Sequence, residues 1–473
     1  MNKWSQDRAQ YKTELDAVSP SFCLAKWTQT TIHLGLGHTH SCHHPRTHVI
    51  PINEIKNTPS ALHNTEFKKS IRQQMLDGHR PAECNYCWKV EDSGNHLSDR
   101  VLKSYEPWSQ PYKDMVLTAG STKNINPKYL EISFSNVCNF KCSYCSPDVS
   151  SQWMEEIKQH GPYPTSIQYN NLDWIKQQNK MPIPEKEFNP YVEAFWSWWP
   201  NLYPDLHTFR ITGGEPLLSK HTFKVLDYII DNPNPNLELG INSNFCVPDE
   251  LFDKFLLKLK KIKDNNSVKE ITIFTSCEAH GPAAEYIRHG LDYKTWLANC
   301  EKYLSKIDKP KLVIMSTYNA LSVTTYDKFL NDVIELNLKY GKPTWYKKII
   351  NKFFNVEVGT HPVMLDIPYL NNPQHQSVGI LTNDYIDLIK KQTSQMNNLS
   401  IRNKDNSYGF YKSEVQKLER LLSVFESSVD NPMWIQHRKD FVIFVDEHDK
   451  RRGTNFLKTF PEMTDFYNLC KSY

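Results

Sequence analysis

The sequence predicts an α/β protein built on a parallel sheet, open or closed into a partial (β/α)6 barrel. Three observations predict it. Six short apolar runs recur between residues 129 and 367, helical patterns lie between most of them, and a Cys-rich segment and a mostly helical tail flank the series. Strands that alternate with helices need crossover connections, and crossovers leave neighbouring strands parallel. In a barrel of this kind the chemistry sits at the C-terminal ends of the strands.

Residues 1–110 are rich in Cys, His and turn signals and are expected to form a small N-terminal domain. Residues 109–127 read as a linker. The barrel segment covers 128–370, with strand candidates at 129–135, 206–212, 237–242, 270–276, 312–317 and 363–367. Helical periodicity marks 220–231, 249–261 and 293–306. The stretch between Cys145 and Gly213 is long for one crossover, which places an insertion at about 152–203. Its aromatic cluster, Phe195 to Trp199, reads as a buried helix face or a lid. Residues 371–473 form a mostly helical C-terminal extension.

At 473 residues and 39% hydrophobic content, the chain has enough apolar surface for a sizeable core. Its 56 basic and 53 acidic residues leave a net charge of +3, which argues against nucleic acid or membrane as the main partner. The first 16 residues lack an apolar run of signal-peptide length, and no stretch is long enough to span a bilayer. Eleven cysteines without a secretory signal point to metal or redox use in a reducing cytoplasm, not to disulfides.

The chemistry is densest at Cys138, Cys142 and Cys145, spaced C-x3-C-x2-C directly after the first strand candidate. Three thiolates on one loop can hold three irons of a cubane [4Fe–4S] cluster and leave the fourth open, and an open position is where chemistry happens. Gly213, Gly214, Glu215 and Pro216 end the second strand candidate. Asn242 and Ser243 end the third, and Ser276 and Glu278 end the fourth. Two glycines let a backbone approach a ligand closely, and Glu215 adds a carboxylate. An ordinary strand-to-helix turn has the same composition.

Together these motifs resemble the signature of the radical S-adenosylmethionine (SAM) superfamily. The resemblance implies that the three cysteines carry a [4Fe–4S] cluster whose open iron binds SAM. It implies that Gly213, Gly214, Glu215 and Pro216 contact the SAM amino group, and that Asn242 and Ser243 form a polar turn facing SAM. Ser276 and Glu278 match the ribose motif, with Glu in place of the usual Asp. Arg288 sits where many relatives place an arginine for the SAM carboxylate, a role suited to its fork of donors; a solvated helix charge is the alternative. The aromatic Tyr144 would lie near the adenine, or simply pack beside the strand.

A second pattern stands in the N-terminal segment. Cys23, Gly37 and Cys42 are spaced C-x13-G-x4-C, and Cys84 and Cys87 follow as C-x2-C. This resembles half of a SPASM domain, the twitch module, placed before the barrel where relatives carry it after. The resemblance implies an auxiliary [4Fe–4S] cluster closed by four cysteines. Zinc is the competitor, because C-x2-C is a common zinc half-site and His38, His40, His43 and His44 crowd around Cys42. The histidines read as outer or surface groups. Cys246, Cys277, Cys300 and Cys470 read as small buried hydrophobes; Cys277, ending a core strand, is the first to consider as a hydrogen-atom donor. Arg451 and Arg452 read as a solvated loop.

The expected activity is reductive cleavage of SAM to a 5′-deoxyadenosyl radical that takes hydrogen from a substrate, with flavodoxin or ferredoxin as reductant. Oxidation or crosslinking of a peptide or protein is the first expectation for the net reaction. A small-molecule dehydrogenase, a methyltransferase and a non-catalytic iron–sulfur or zinc protein are the alternatives.

Overall fold

The computed structural model describes residues 3–94, 97–341, 361–399, 409–429 and 431–473. By internal contacts the chain divides into two compact units. The first comprises Met1–Asn136, Lys176–Ile241 and Asn265–Glu270; the second comprises Val137–Ile175, Asn242–Asp264 and Ile271–Tyr473. Among the described residues no helix is long and apolar enough to cross a membrane.

The first unit is built on strands β1 (Gln29–His33), β2 (His38–His40), β3 (His48–Val49), β4 (Tyr129–Ser133), β6 (Thr208–Thr212) and β7 (Asn234–Asn242). Strands β1, β4, β6 and β7 run parallel, with Ile32 beside Ile132, Ile132 beside Ile211 and Ile211 beside Ile241. These isoleucines are fully buried and form one row of the core. Strands β2 and β3 extend the β1 edge as an antiparallel meander. At the β1–β2 turn Gly37 has φ +66°, and a Cβ there would stand 2.3 Å from the Tyr191 ring. Glycine is required on both counts. The N-terminal segment therefore shares a sheet with the first predicted barrel strand.

The linker expectation fails. Residues 110–112 form a 3-10 turn and Lys113–Ala119 a helix. The segment is tied down by the hydroxyl pair Thr28–Ser109 at 2.9 Å and by Trp27 Nε1 donating to the Gly120 carbonyl at 2.7 Å. Its polar composition hid these contacts. The aromatic run lies on helix Pro190–Leu202, started by Asn189 capping the Tyr191 and Val192 amides, and buries Phe195, Trp198 and Trp199.

The second unit carries parallel strands β8 (Val268–Ser276), β10 (Leu312–Met315) and β11 (Val363–Asp366), with Ser276 beside Met315 and Met315 beside Asp366. A two-stranded antiparallel ribbon pairs β5 (Lys141–Cys142) with β9 (Arg288–His289). Helices Ile386–Asn398, Lys412–Ser428, Trp434–Arg452 and Thr464–Ser472 form the C-terminal part. Thus the fold is mixed α/β, with parallel strands and a helical C-terminus.

Candidate active site and metal centres

In the second unit the cysteine loop is fastened at its backbone. The Cys142 carbonyl accepts from Trp153 Nε1 at 2.8 Å and from the Cys145 amide at 2.9 Å. The Cys145 carbonyl accepts from Tyr169 at 2.7 Å and Asn170 at 3.0 Å, and Gln376 donates to the Ser143 carbonyl at 3.1 Å. Asn139 donates to the Cys246 carbonyl at 2.7 Å and accepts from Asn244 at 2.8 Å, which joins the loop to the polar turn after Asn242 and Ser243. The Cys142, Ser143 and Cys145 carbonyls are thus occupied by bonds that hold the loop's shape. Trp153, Tyr169 and Asn170 belong to the first part of the expected insertion, which is scaffolding for the loop. This role left no motif in the sequence.

The three thiols interact electrostatically. Burial raises the Cys145 thiol well above its ordinary range, and Cys142 and Cys138 raise it further. The Phe140 amide donates to Cys138 Sγ at 3.4 Å, and Arg288 Nη1 stands 3.7 Å from Cys142 Sγ. Such donors favour sulfur in its thiolate form.

Tyr144, Glu278 and Arg288 converge. Arg288 Nε and Nη2 donate to Glu278 Oε2 at 2.8 and 2.6 Å, Nη2 reaches the Tyr144 hydroxyl at 2.5 Å, and that hydroxyl lies 3.1 Å from Glu278 Oε1. Glu278 is 1% exposed and Arg288 6%. Burial works against the arginine charge, but the Glu278 carboxylate outweighs it and holds Arg288 well above its ordinary range. Arg288 is therefore not a solvated helix charge. Ser276 ends β8, two residues before Glu278.

Gly213, Gly214, Glu215 and Pro216 lie in the first unit, at the end of β6. Gly213 has φ +131°, and a Cβ there would meet Ser133 Oγ at 2.8 Å. The Gly214 amide reaches the Ser135 carbonyl at 3.4 Å. Glu215 is 2% exposed and accepts from the Leu217 amide at 3.0 Å. The turn is thus a built feature, packed against the end of β4.

Cys23, Cys42, Cys84 and Cys87 line one cavity of the first unit together with Lys26, Met75, Trp88 and Asp99. Cys84 ends a 3-10 turn and Cys87 lies in helix Asn85–Asp92, so the C-x2-C spacing sets both sulfurs on one face. Burial pushes the Cys42 thiol up to about 11 and the Cys84 thiol up to about 12. The sequence reading missed Lys26, three residues after Cys23. It is 3% exposed, pairs with Glu83, and interacts with Cys84 and Cys42. Deeper in the unit, Lys68 Nζ donates to Thr30 and Thr39 at 2.8 Å each, and Arg72 donates to Asn64, His63 and the Lys26 carbonyl. No carboxylate among the described residues lies within 4.0 Å of Lys68 or Arg72.

Cys277, Cys300 and Cys470 are buried, and Cys277 Sγ faces the Ala279 carbonyl at 3.3 Å. The reading of Arg451 and Arg452 as a solvated loop is corrected. They end helix Trp434–Arg452 with side chains 3% and 0% exposed, over the Tyr163 and Trp153 rings. Arg452 donates to the Lys141 carbonyl at 2.7 Å and so braces the cysteine loop.

No protein-family model matches the chain. Over 236 residues it is 25% identical to GTP 3′,8-cyclase of Sulfurimonas denitrificans, covering 49% of this chain and 58% of that protein. The chain therefore spans little more than half the length of that relative. Among solved structures it is similar to the FeFe-hydrogenase maturase HydG from Carboxydothermus hydrogenoformans, at 12% identity and a TM-score of 0.27, over 89% of this chain and 96% of that one. A score that low does not equate the two folds.

Proposed function

We propose that the chain is a radical SAM enzyme with its catalytic [4Fe–4S] cluster on Cys138, Cys142 and Cys145. The observation that carries this reading is the second unit's constellation: three sulfurs on a loop fastened through its Cys142, Ser143 and Cys145 carbonyls, with Arg288 beside Cys142 and bonded to Glu278 and Tyr144. The similarity to GTP 3′,8-cyclase supports the superfamily assignment. When bound, the cluster and SAM supply a 5′-deoxyadenosyl radical able to take hydrogen from an unactivated carbon.

The donor set fits. Three thiolates on one loop leave the fourth iron of a cubane open, whereas four thiolates close a centre completely, so the two cysteine sets match an open and a closed centre. The protein's own residues would hold and orient the ligands. Arg288 keeps a positive donor beside Cys142, Tyr144 lies next to it, and Glu215 with the Gly213–Gly214 turn provides a carboxylate for an amino group. Asn242, Ser243 and Ser276 are the remaining SAM contacts in this reading.

Cys23, Cys42, Cys84 and Cys87 would hold the auxiliary [4Fe–4S] cluster. The supporting observation is the convergence of the four cysteines on one cavity, beside the buried ammonium of Lys26. A reductant such as flavodoxin or ferredoxin would supply the electron.

For the substrate we retain oxidation or crosslinking of a peptide or protein. A second reading, a small-molecule substrate, is favoured by the similarity to an enzyme named for a nucleotide reaction. The test is SAM cleavage by reduced, anaerobic protein. Production of 5′-deoxyadenosine supports the proposal, S-adenosylhomocysteine points to a methyltransferase, and no cleavage overturns it.

A further inference from the structure

We propose that His43, His44 and Asp99 form a separate site for a divalent transition-metal ion, with only nitrogen and oxygen ligands. His44 Nε2 lies 2.7 Å and His43 Nε2 3.2 Å from the same Asp99 oxygen. The three ligand atoms lie within 4.8 Å of one another, and among the described residues this is the group of His, Cys, Asp and Glu that meets that condition. The two histidines are adjacent in sequence, whereas Asp99 opens helix Asp99–Ser104, so the fold brings the set together.

The site is held on one side and open on the other. The His44 ring stacks on Tyr86 with centroids 3.7 Å apart and planes inclined by 14°. Pro45 follows His44 and bars the helical conformation there. His43, at 57% side-chain exposure, faces water, whereas His44 and Asp99 are 17% and 22% exposed. Zinc bonds of about 2.0–2.2 Å to nitrogen and oxygen need ligand separations of about 3.3 Å. The observed 2.7 and 3.2 Å separations reach that with a small movement of two imidazoles. Two imidazoles and a carboxylate suit zinc, iron(II), cobalt or nickel, and three protein ligands leave coordination positions open. An ion here would exchange with solution through the exposed His43 side.

His44 and Asp99 also line the four-cysteine cavity, so the ion is tested with the cysteine site loaded. The test is a Co2+ titration of the anaerobic protein with its iron–sulfur content intact. One equivalent is expected to bind with visible d–d absorption and without a thiolate-to-cobalt charge-transfer band. Loss of an outer-shell partner alone costs metal sites 10–100-fold, so His43→Ala should weaken binding by at least about tenfold. His43 is exposed, so its replacement is expected to leave the fold unchanged, and iron analysis of the variant checks that the site at the neighbouring Cys42 stays loaded. Asp99→Asn should act in the same direction. Absence of binding, binding unchanged in His43→Ala, or a thiolate charge-transfer band that vanishes in Cys84→Ser with Cys87→Ser would each overturn the proposal.

Discussion

Arg288 and Cys142 face each other across a two-residue antiparallel ribbon, and the arginine's Nη1 lies 3.7 Å from the cysteine sulfur. Backbone pairing thus fixes a buried cation against one sulfur of the cysteine loop. The same guanidinium is bonded to Glu278 and Tyr144, so three of the proposed SAM-site residues form one connected group.

Arg288→Met removes one partner of a buried ion pair and strands the Glu278 carboxylate. Loss of about 3–5 kcal/mol of stability is expected, read as a lower denaturation midpoint. Adding Glu278→Gln should recover most of it. Full stability in the single variant would show that the pair is not buried in solution.

Cys142→Ala should abolish SAM cleavage. Cys84→Ala with Cys87→Ala should remove about one cluster's worth of iron and leave SAM cleavage in place. Iron and zinc analysis separates the outcomes, because loss of zinc at constant iron would assign the four-cysteine site to zinc.

Gly213→Ala tests the strained turn. Its φ of +131° and the 2.8 Å approach of Ser133 Oγ leave no room for a methyl group. A cost of about 1–3 kcal/mol is expected, measured by chemical denaturation. Glu215→Ala, by contrast, should weaken SAM binding while the iron content stays constant.

Much of the fold was legible. All six strand candidates are strands, and the helices expected at 220–231 and 293–306 have those limits, because their apolar residues recur at the period of the element they form. Strand β1 was not legible. Its sequence, Gln-Thr-Thr-Ile-His, lacks apolar alternation, yet four of its five residues are buried. The Thr30 hydroxyl is satisfied by Lys68 from a distant helix, which no local pattern announces. The cysteine loop and the Gly213–Glu215 turn are singled out in the sequence by their resemblance to family motifs, and their roles are proposed. The braces of the cysteine loop, Trp153, Tyr169, Gln376 and Arg452, are single residues far apart in sequence that only the tertiary fold assembles.

Glu414 predicts a pH dependence of stability. Burial pushes its carboxyl up to about 7 from the ordinary 4.5, although it accepts from the Leu365 amide at 2.5 Å and from the Tyr411 amide. The folded chain therefore binds more protons than the unfolded chain between pH 4.5 and about 7. This contribution to stability is complete below pH 4.5 and is lost as pH rises through about 7. Glu414→Gln should flatten that slope in denaturation midpoints measured across the window; an unchanged slope would assign it to other groups.

The most direct test of the central claim is electron paramagnetic resonance of the reduced, anaerobic protein with and without SAM, paired with assay of 5′-deoxyadenosine. The account predicts a reduced [4Fe–4S] signal that SAM perturbs, accompanied by 5′-deoxyadenosine, with both the SAM effect and the product lost in Cys142→Ala. An iron-loaded protein whose signal ignores SAM and which forms no 5′-deoxyadenosine would contradict it.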